Sequence, residues 1–258
     1  MKKIFWITPE SFLDVDMPVI ELLNSKFDIF WLVIGFDKSA KHMFTKSDVE
    51  DFADRIMLEY AIVSTRYRFR NPLILFFYFI IIKKIKRFKT DILYTSYLGE
   101  PIFMIILKRF LSRNKVVIAI HDVELHSSEK KKRLKKIYHS LIRKEYSNFH
   151  LFSNSQAELF SQSFRNKNIL VTPLCIKDFG KPFSTHKNSK VRFLFFGTIL
   201  PYKGLETLVK AVNYLIADIN NKNFFLTIAG NCNDADWSEL KRLIKYPEFV
   251  QTEIRTIK

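Results

Sequence analysis

The chain has 258 residues, 48% of them apolar, enough to bury the core of one large or two ordinary domains. Forty-two Lys and Arg against 26 Asp and Glu leave a net charge of +16, which favours anionic partners: phosphorylated substrates, anionic lipid or nucleic acid. Only Cys175 and Cys232 are present, without metal-like spacing, so a disulfide framework is excluded and a reducing compartment is expected.

The chain opens on Ile4–Ile7, an apolar run ended by Thr8 and Pro9. It is too short for a secretory signal and reads as a first β-strand. A helix is expected over Met17–Leu23 after the loop PESFLDVD, then a strand over Phe27–Ile34 closed by Gly35. Residues 37–60 are polar, with Phe44, Val49, Phe52, Ile56 and Met57 at loosely helical spacing. Asn71-Pro72 opens a long helix, LILFFYFIIIKKIKRFK, whose apolar block Leu73–Ile82 fits either a helix packed on a sheet or one lying in a membrane interface. Its cations Lys83, Lys84, Lys86, Arg87 and Lys89 are placed to touch anionic headgroups in the second case. No apolar run reaches the roughly 18 residues that a membrane span requires.

Asp91–Tyr94 is the next strand, Pro101–Leu111 a helix, and Val116–Ile120 a strand running into His121-Asp122. His121 therefore stands at the carboxyl end of a strand, where this kind of sheet binds ligands. It is either a donor to a substrate or a structural histidine. Asp122, Glu124, His126 and Glu129 follow, at no spacing that matches a metal motif, and no metal is expected. From Glu129 an amphipathic helix is expected, burying Leu134, Ile137, Tyr138, Leu141, Ile142 and Tyr146. Lys130–Lys132, Arg133, Lys135 and Lys136 crowd its start against the macrodipole. They form either a solvated face or a basic patch, with Lys131, Lys132, Lys135 and Lys136 as candidate acceptor or membrane contacts. No helix-turn-helix, zinc-finger or RNP signature accompanies them, so nucleic acid is not expected.

A strand at Leu151–Ser153 leads into SNSQAELF, with Ser155 as the expected N-cap, and Ile169–Thr172 is the sixth strand of the first half. Strand and helix alternate throughout, which argues a doubly wound parallel sheet. The polar stretch 177–190 reads as an interdomain linker.

Beyond it, VRFLFF is a near-continuous apolar strand of the kind a parallel sheet buries on both faces. A turn with Gly197, Pro201, Lys203 and Gly204 follows, then a helix with Leu205, Leu208, Val209, Val212, Leu215, Ile216 and Ile219 on one face. A strand, a glycine-bearing turn and a helix N-terminus form a place where backbone N–H groups meet an anion, with Lys203 as a mobile cation. An ordinary strand–turn–helix with a solvated lysine has the same spacing.

In this order, HDVELHS, FSNSQAELF, ILVTPL, FLFFGTILPYKGLETLVKAV and FFLTIAG resemble the family 4 glycosyltransferases, the "glycosyl transferases group 1" type. The motifs run from about residue 90 to 232, with a looser likeness from residue 1. The resemblance implies the α/β GT-B architecture: a complete amino-terminal Rossmann-like parallel-sheet domain on the acceptor side (1–180), a linker (181–190), and the start of a second Rossmann-like domain on the donor side (191–258). It implies retaining transfer from a nucleotide-diphosphate sugar to a surface polysaccharide or lipid-linked acceptor, with no permanently bound cofactor. It places the chain in the cytoplasm, peripheral at the inner face of the membrane. His121 falls where the family has a histidine near the donor sugar; Lys203, with Gly197 and Gly204, falls on the donor-diphosphate loop.

Three departures stand against it. Thr198 occupies the position of a usual arginine, PESFLDVDMP lacks the glycines common after the first strand, and nothing after Gly230 matches the family's paired glutamates. Lys190–Lys258 accommodates about two strands and two helices. Asp234, Asp236, Glu239, Glu248 and Glu253 are expected on loops or helix surfaces. The second domain is therefore expected to be incomplete, truncated or supplied by a partner chain, and the alternative to an enzyme is an acceptor-binding or membrane-docking module.

Overall fold

The computed structural model describes residues 1–35, 44–64, 71–96, 101–124, 132–175, 190–232 and 234–256. The chain divides into two compact units, Met1–Asp178 and Phe179–Lys258.

The first unit is built on seven parallel strands, β1 (Lys3–Pro9), β2 (Asp28–Ile34), β3 (Glu59–Val63), β4 (Ile92–Thr95), β5 (Val116–Ile120), β6 (Asn148–Leu151) and β7 (Asn168–Val171). Their order in the sheet is β3-β2-β1-β4-β5-β6-β7, so the winding reverses between β1 and β4. Even-numbered β1 positions Ile4 and Trp6 pack under α1 (Leu13–Leu23) and α2 (Lys46–Arg55) with Leu13, Ile20, Val49 and Phe52. Odd-numbered Phe5 and Ile7 face α3 (Ile74–Arg87), α4 (Pro101–Leu107), α5 (Lys132–Glu145) and α6 (Asn154–Ser163). Helices cover both faces, which is why β1 and β2 are apolar at nearly every position.

Several sequence expectations change. Strand β3 begins at the end of the polar, loosely helical segment 37–60 and runs past it, where the sequence reading places no element. On α5, Ile137 and Leu141 are exposed, whereas Ile142, Arg143 and Tyr146 are buried; the packed face is turned toward the later positions. The N-cap of α6 is Ser153, whose hydroxyl accepts from the Gln156 N–H at 3.3 Å; Ser155 sits inside the first turn.

The second unit has three parallel strands, β8 (Val191–Phe196), β9 (Phe224–Cys232) and β10 (Val250–Thr256), in the order β10-β9-β8. Two strands were expected; β10 is the third, and it carries Glu253, which is therefore a strand residue. Helix α7 (Leu205–Ala217) buries Leu205, Val209, Val212 and Ile216 against Phe224, Leu226 and Ile228 of β9. Ile219, expected on that face, lies beyond the helix end and is exposed. Helix α8 (Asp234–Arg242) joins this core through Trp237 and Leu240, as its spacing predicts, and Ile244 just after it packs there too. The register Val191↔Phe224 puts Arg192, Leu194 and Phe196 on the other face of the sheet. There Leu194 is 66% and Phe196 79% exposed.

Candidate functional site

Each unit carries one candidate site. In the second unit, β8 ends at Phe196 and the chain turns at Gly197, whose φ of +122° is one that residues with a Cβ rarely adopt. The Gly197 N–H donates to the Ala229 carbonyl at 3.0 Å and the Ile199 N–H to that of Asn231 at 2.8 Å. The turn thus lies directly along β9. Gly230 makes that approach feasible, because a Cβ there would overlap the Gly197 carbonyl group. A 3₁₀ turn over Pro201–Lys203 leads to Gly204, the left-handed N-cap of α7 at φ +72°. No side chain caps the first turn of α7, so its amides present the positive end of the helix dipole. Lys203 folds back across the turn: its Nζ stands 3.4 Å from where a Gly197 Cβ would be.

Gly197, Lys203 and Gly204 therefore lie on one turn, an exposed ammonium above a glycine whose missing side chain leaves the backbone open. This arrangement suits an anion. Thr198 is exposed on the same turn and adds no charge. A neighbouring cavity of about 310 Å³ is lined by Ile199, Leu200 and Leu205 with Glu206, Asp236 and Glu239, and its carboxylates disfavour phosphate.

In the first unit the carboxyl edge of the sheet holds two hydrogen-bonded groups that sequence reasoning missed. At the β1–β4 reversal, where open α/β sheets usually bind ligands, buried Asp16 closes the crevice. Its Oδ2 accepts from Thr8 Oγ1 at 2.7 Å and Ser96 Oγ at 3.3 Å, and Trp31 Nε1 donates to Thr8 Oγ1 at 2.8 Å. Burial pushes the Asp16 carboxyl up to about 6 against these hydrogen bonds. The glycine-poor PESFLDVD segment therefore closes this crevice with side chains. Further along, the Tyr94 hydroxyl meets His150 Nδ1 at 2.7 Å and Thr172 Oγ1 meets Nε2 at 2.6 Å. Burial holds His150 below its usual pKa and raises that of Tyr94, so both are neutral at physiological pH. A lone histidine inside NFHL gives no sequence signal of this.

His121 follows β5 on the same edge and is half-exposed. The Phe12 ring meets it edge-on at 5.7 Å and Phe152 lies at 5.9 Å on another side, while Asp122 Oδ2 is 3.5 Å from Nδ1. The backbone just beyond is clamped: the Val123 N–H donates to Gln156 Oε1 at 2.7 Å, and Arg143 Nη1 donates to the Val123 carbonyl at 2.9 Å. His121 is held in place with an accessible ring edge, as a ligand-facing histidine requires.

The lysine patch is only partly visible. Lys132 and Lys135 lie on α5 and Lys136 is exposed; Lys131, His126 and Glu129 fall outside the described residues, as does the expected linker apart from Lys190. Among the described residues no group of three or more His, Cys, Asp or Glu is arranged to hold a metal ion.

Comparison with solved structures places this geometry. The whole chain superposes on 70% of Staphylococcus aureus MnaA, solved with UDP, at TM-score 0.60 and 14% identity. It superposes on 78% of S. aureus TarM, solved with UDP and α-GlcNAc-glycerol, at TM-score 0.61 and 7% identity. An Escherichia coli structure titled trehalose-6-phosphate and bound to UDP-2-fluoro glucose is matched over 74% of its length, at TM-score 0.60 and 9% identity. The fold is GT-B-like. No protein-family model matches the sequence, and no curated protein matches it significantly. Identities this low establish the fold of this GT-B-like chain and leave its chemistry to its own residues.

Proposed function

We propose that this chain binds a nucleotide-diphosphate sugar and belongs to a retaining glycosyltransferase acting on a surface polysaccharide or lipid-linked acceptor. The observation that carries the reading is the Gly197–Gly204 turn, with the Lys203 ammonium drawn over Gly197 at the uncapped start of α7. In this reading the ammonium and the helix dipole stabilise the negative charge that grows on the departing diphosphate as the glycosidic bond breaks. His121, with its exposed ring edge, hydrogen-bonds the sugar and orients it. No permanent cofactor takes part. The first unit serves the acceptor and the second the donor. The UDP or UDP-sugars named with the GT-B neighbours support uridine nucleotides as the first donors to try.

Isothermal titration with UDP-, GDP- and ADP-sugars tests the donor reading. We expect heat with at least one donor, and a drop in affinity of about tenfold or more in Lys203→Ala, from loss of a charge-assisted contact. Silence with every donor, or undiminished affinity in the variant, rejects the proposal.

A second reading rests on a different observation. Strand β8 is apolar on both faces yet has β9 as its only neighbour among the described residues. We read its free edge as the place where a further strand, from a partner chain or another segment, completes the donor-side sheet. Full turnover then requires that strand, while diphosphate binding needs only the turn.

A further inference from the structure

We infer that the outer face of α3 and α4 is an anionic-membrane docking surface. The inference is independent of donor binding. It moves the lipid contact from the lysines at the start of α5 to a different pair of helices.

Helix α3 buries Ile74, Phe77, Tyr78, Ile81, Ile82 and Ile85, which accounts fully for its place against the sheet. Its opposite face is also apolar over the first two turns. Phe76 is 71% and Phe79 51% exposed, with Leu75 and Ile80 beside them. Solvent gives no reason for phenylalanines in such a row, and contiguous exposed apolar surface marks an interaction site. Along the same face the last turn becomes cationic, with Lys83, Lys86 and Arg87 exposed. The face continues onto α4, where Ile105 is 40% exposed, and onto the turn after it: Phe79 meets Phe110 edge-to-face at 6.1 Å, and Lys86 Nζ lies 4.5 Å over the Phe110 ring. Between the ends of the two helices lies a groove of about 290 Å³, lined by Lys86, Lys89 and Lys115 with Phe110 and Leu111 and by no acidic residue.

The charge pattern decides the partner. Residues 71–90 and 101–120 hold nine Lys and Arg and no Asp or Glu. Of these nine, only Lys108 and Arg113 form ion pairs with described residues, both with Glu145. A protein partner matching this face would have to be both apolar and strongly acidic, whereas an anionic bilayer offers both properties in one surface: acyl chains for the phenylalanines and phosphate headgroups for the lysine groove. No helix among the described residues is long and apolar enough to cross a membrane, so the contact is a docking of the surface.

Flotation of the full chain with vesicles tests this. We expect recovery with phosphatidylcholine vesicles containing about one-third phosphatidylglycerol, and little with phosphatidylcholine alone. Lys86→Gln with Lys89→Gln lowers the partition coefficient about fivefold per cation, and Phe76→Ser with Phe79→Ser lowers it more than about tenfold. All four side chains lie at the surface, and the contacts that Phe79 and Lys86 make with Phe110 are worth about 1 kcal/mol each, so both variants should stay folded with slightly lowered melting, and nucleotide titration on the same samples should be unaffected. Equal recovery on neutral and anionic vesicles, or full flotation of the phenylalanine variant, overturns the inference. Competition by millimolar glycerol 3-phosphate would also overturn it, assigning the groove to a soluble phosphate. So would a lipid-free dimer that the phenylalanine substitutions dissociate, since the face would then belong to a second copy.

Discussion

Asp16 is the residue with the clearest price for its position. Its pKa is raised from 3.8 to about 6 because burial outweighs the hydrogen bonds from Thr8 and Ser96. A folded-state pKa above the unfolded one means that the native chain holds the proton more tightly between these values. The contribution of this group to stability is then fully present below pH 4 and is lost, by about 3 kcal/mol, as pH rises through 6. Asp16→Asn keeps an acceptor for the Thr8 hydroxyl and removes the charge. Urea unfolding of both proteins from pH 4 to 8 should show the variant gaining on the unchanged chain across this window; a constant difference would mean that Asp16 does not titrate there. Gly230 and Gly204 give a second contrast at this scale. Gly230→Ala drives a Cβ into the Gly197 carbonyl, where backbone must move, and should cost roughly 3 kcal/mol. Gly204→Ala meets nothing within 4 Å and bears only the left-handed backbone penalty, about 1 kcal/mol. Thermal unfolding that ranks the two the other way would contradict the close approach of the turn to β9.

At the scale of elements, legibility follows burial. Strands β1, β2 and β5 are interior to the sheet, and their near-continuous apolar runs were readable from sequence. The two strands that escaped, β3 and β10, are edge strands, EYAIV and VQTEIRT. With a neighbour on one side only, such strands keep polar residues, and in β10 only Val250 and Ile254 of VQTEIRT are apolar, with Thr252 between them exposed. Two apolar residues in seven give too weak a period for a strand, and the acidic residues favour a loop or helix surface. Helix α5 differs in another way: the amphipathic pattern is genuine, yet Ile137 and Leu141 are exposed while Arg143 takes a buried place. Its guanidinium lies 5.8 Å from the Phe160 and Phe164 rings and fixes the Val123 carbonyl. The candidate site divides in the same way. Gly197, Lys203 and Gly204 declare themselves through a local strand–turn–helix pattern, whereas Asp16 and His150 take part of their environment from residues distant in sequence, such as Ser96 and Tyr94.

For the whole molecule, β8 is the strand that breaks the rule. VRFLFF has the composition of an interior strand and the position of an edge strand, with Leu194 and Phe196 bare on one face and Phe193 half-exposed on the other. The helices of the second unit, α7 and α8, both pack on the Phe224–Leu226–Ile228 face of β9, so among the described residues of that unit no helix covers the opposite face. An unpaired apolar edge and an uncovered apolar face on one strand are a template for association. The isolated chain should therefore self-associate with rising concentration, and sedimentation equilibrium should show it. Leu194→Lys with Phe196→Ser places charge and polarity on the bare face without touching the α7 core. That pair should shift association to at least about tenfold higher concentration, given the apolar area that two such side chains withhold from water. Melting of the variant should be unchanged, since both side chains are already in solvent. Association that persists undiminished would place the sticky surface elsewhere, with the α3–α4 face the next to substitute, and would remove the main physical reason for assigning β8 a missing neighbour.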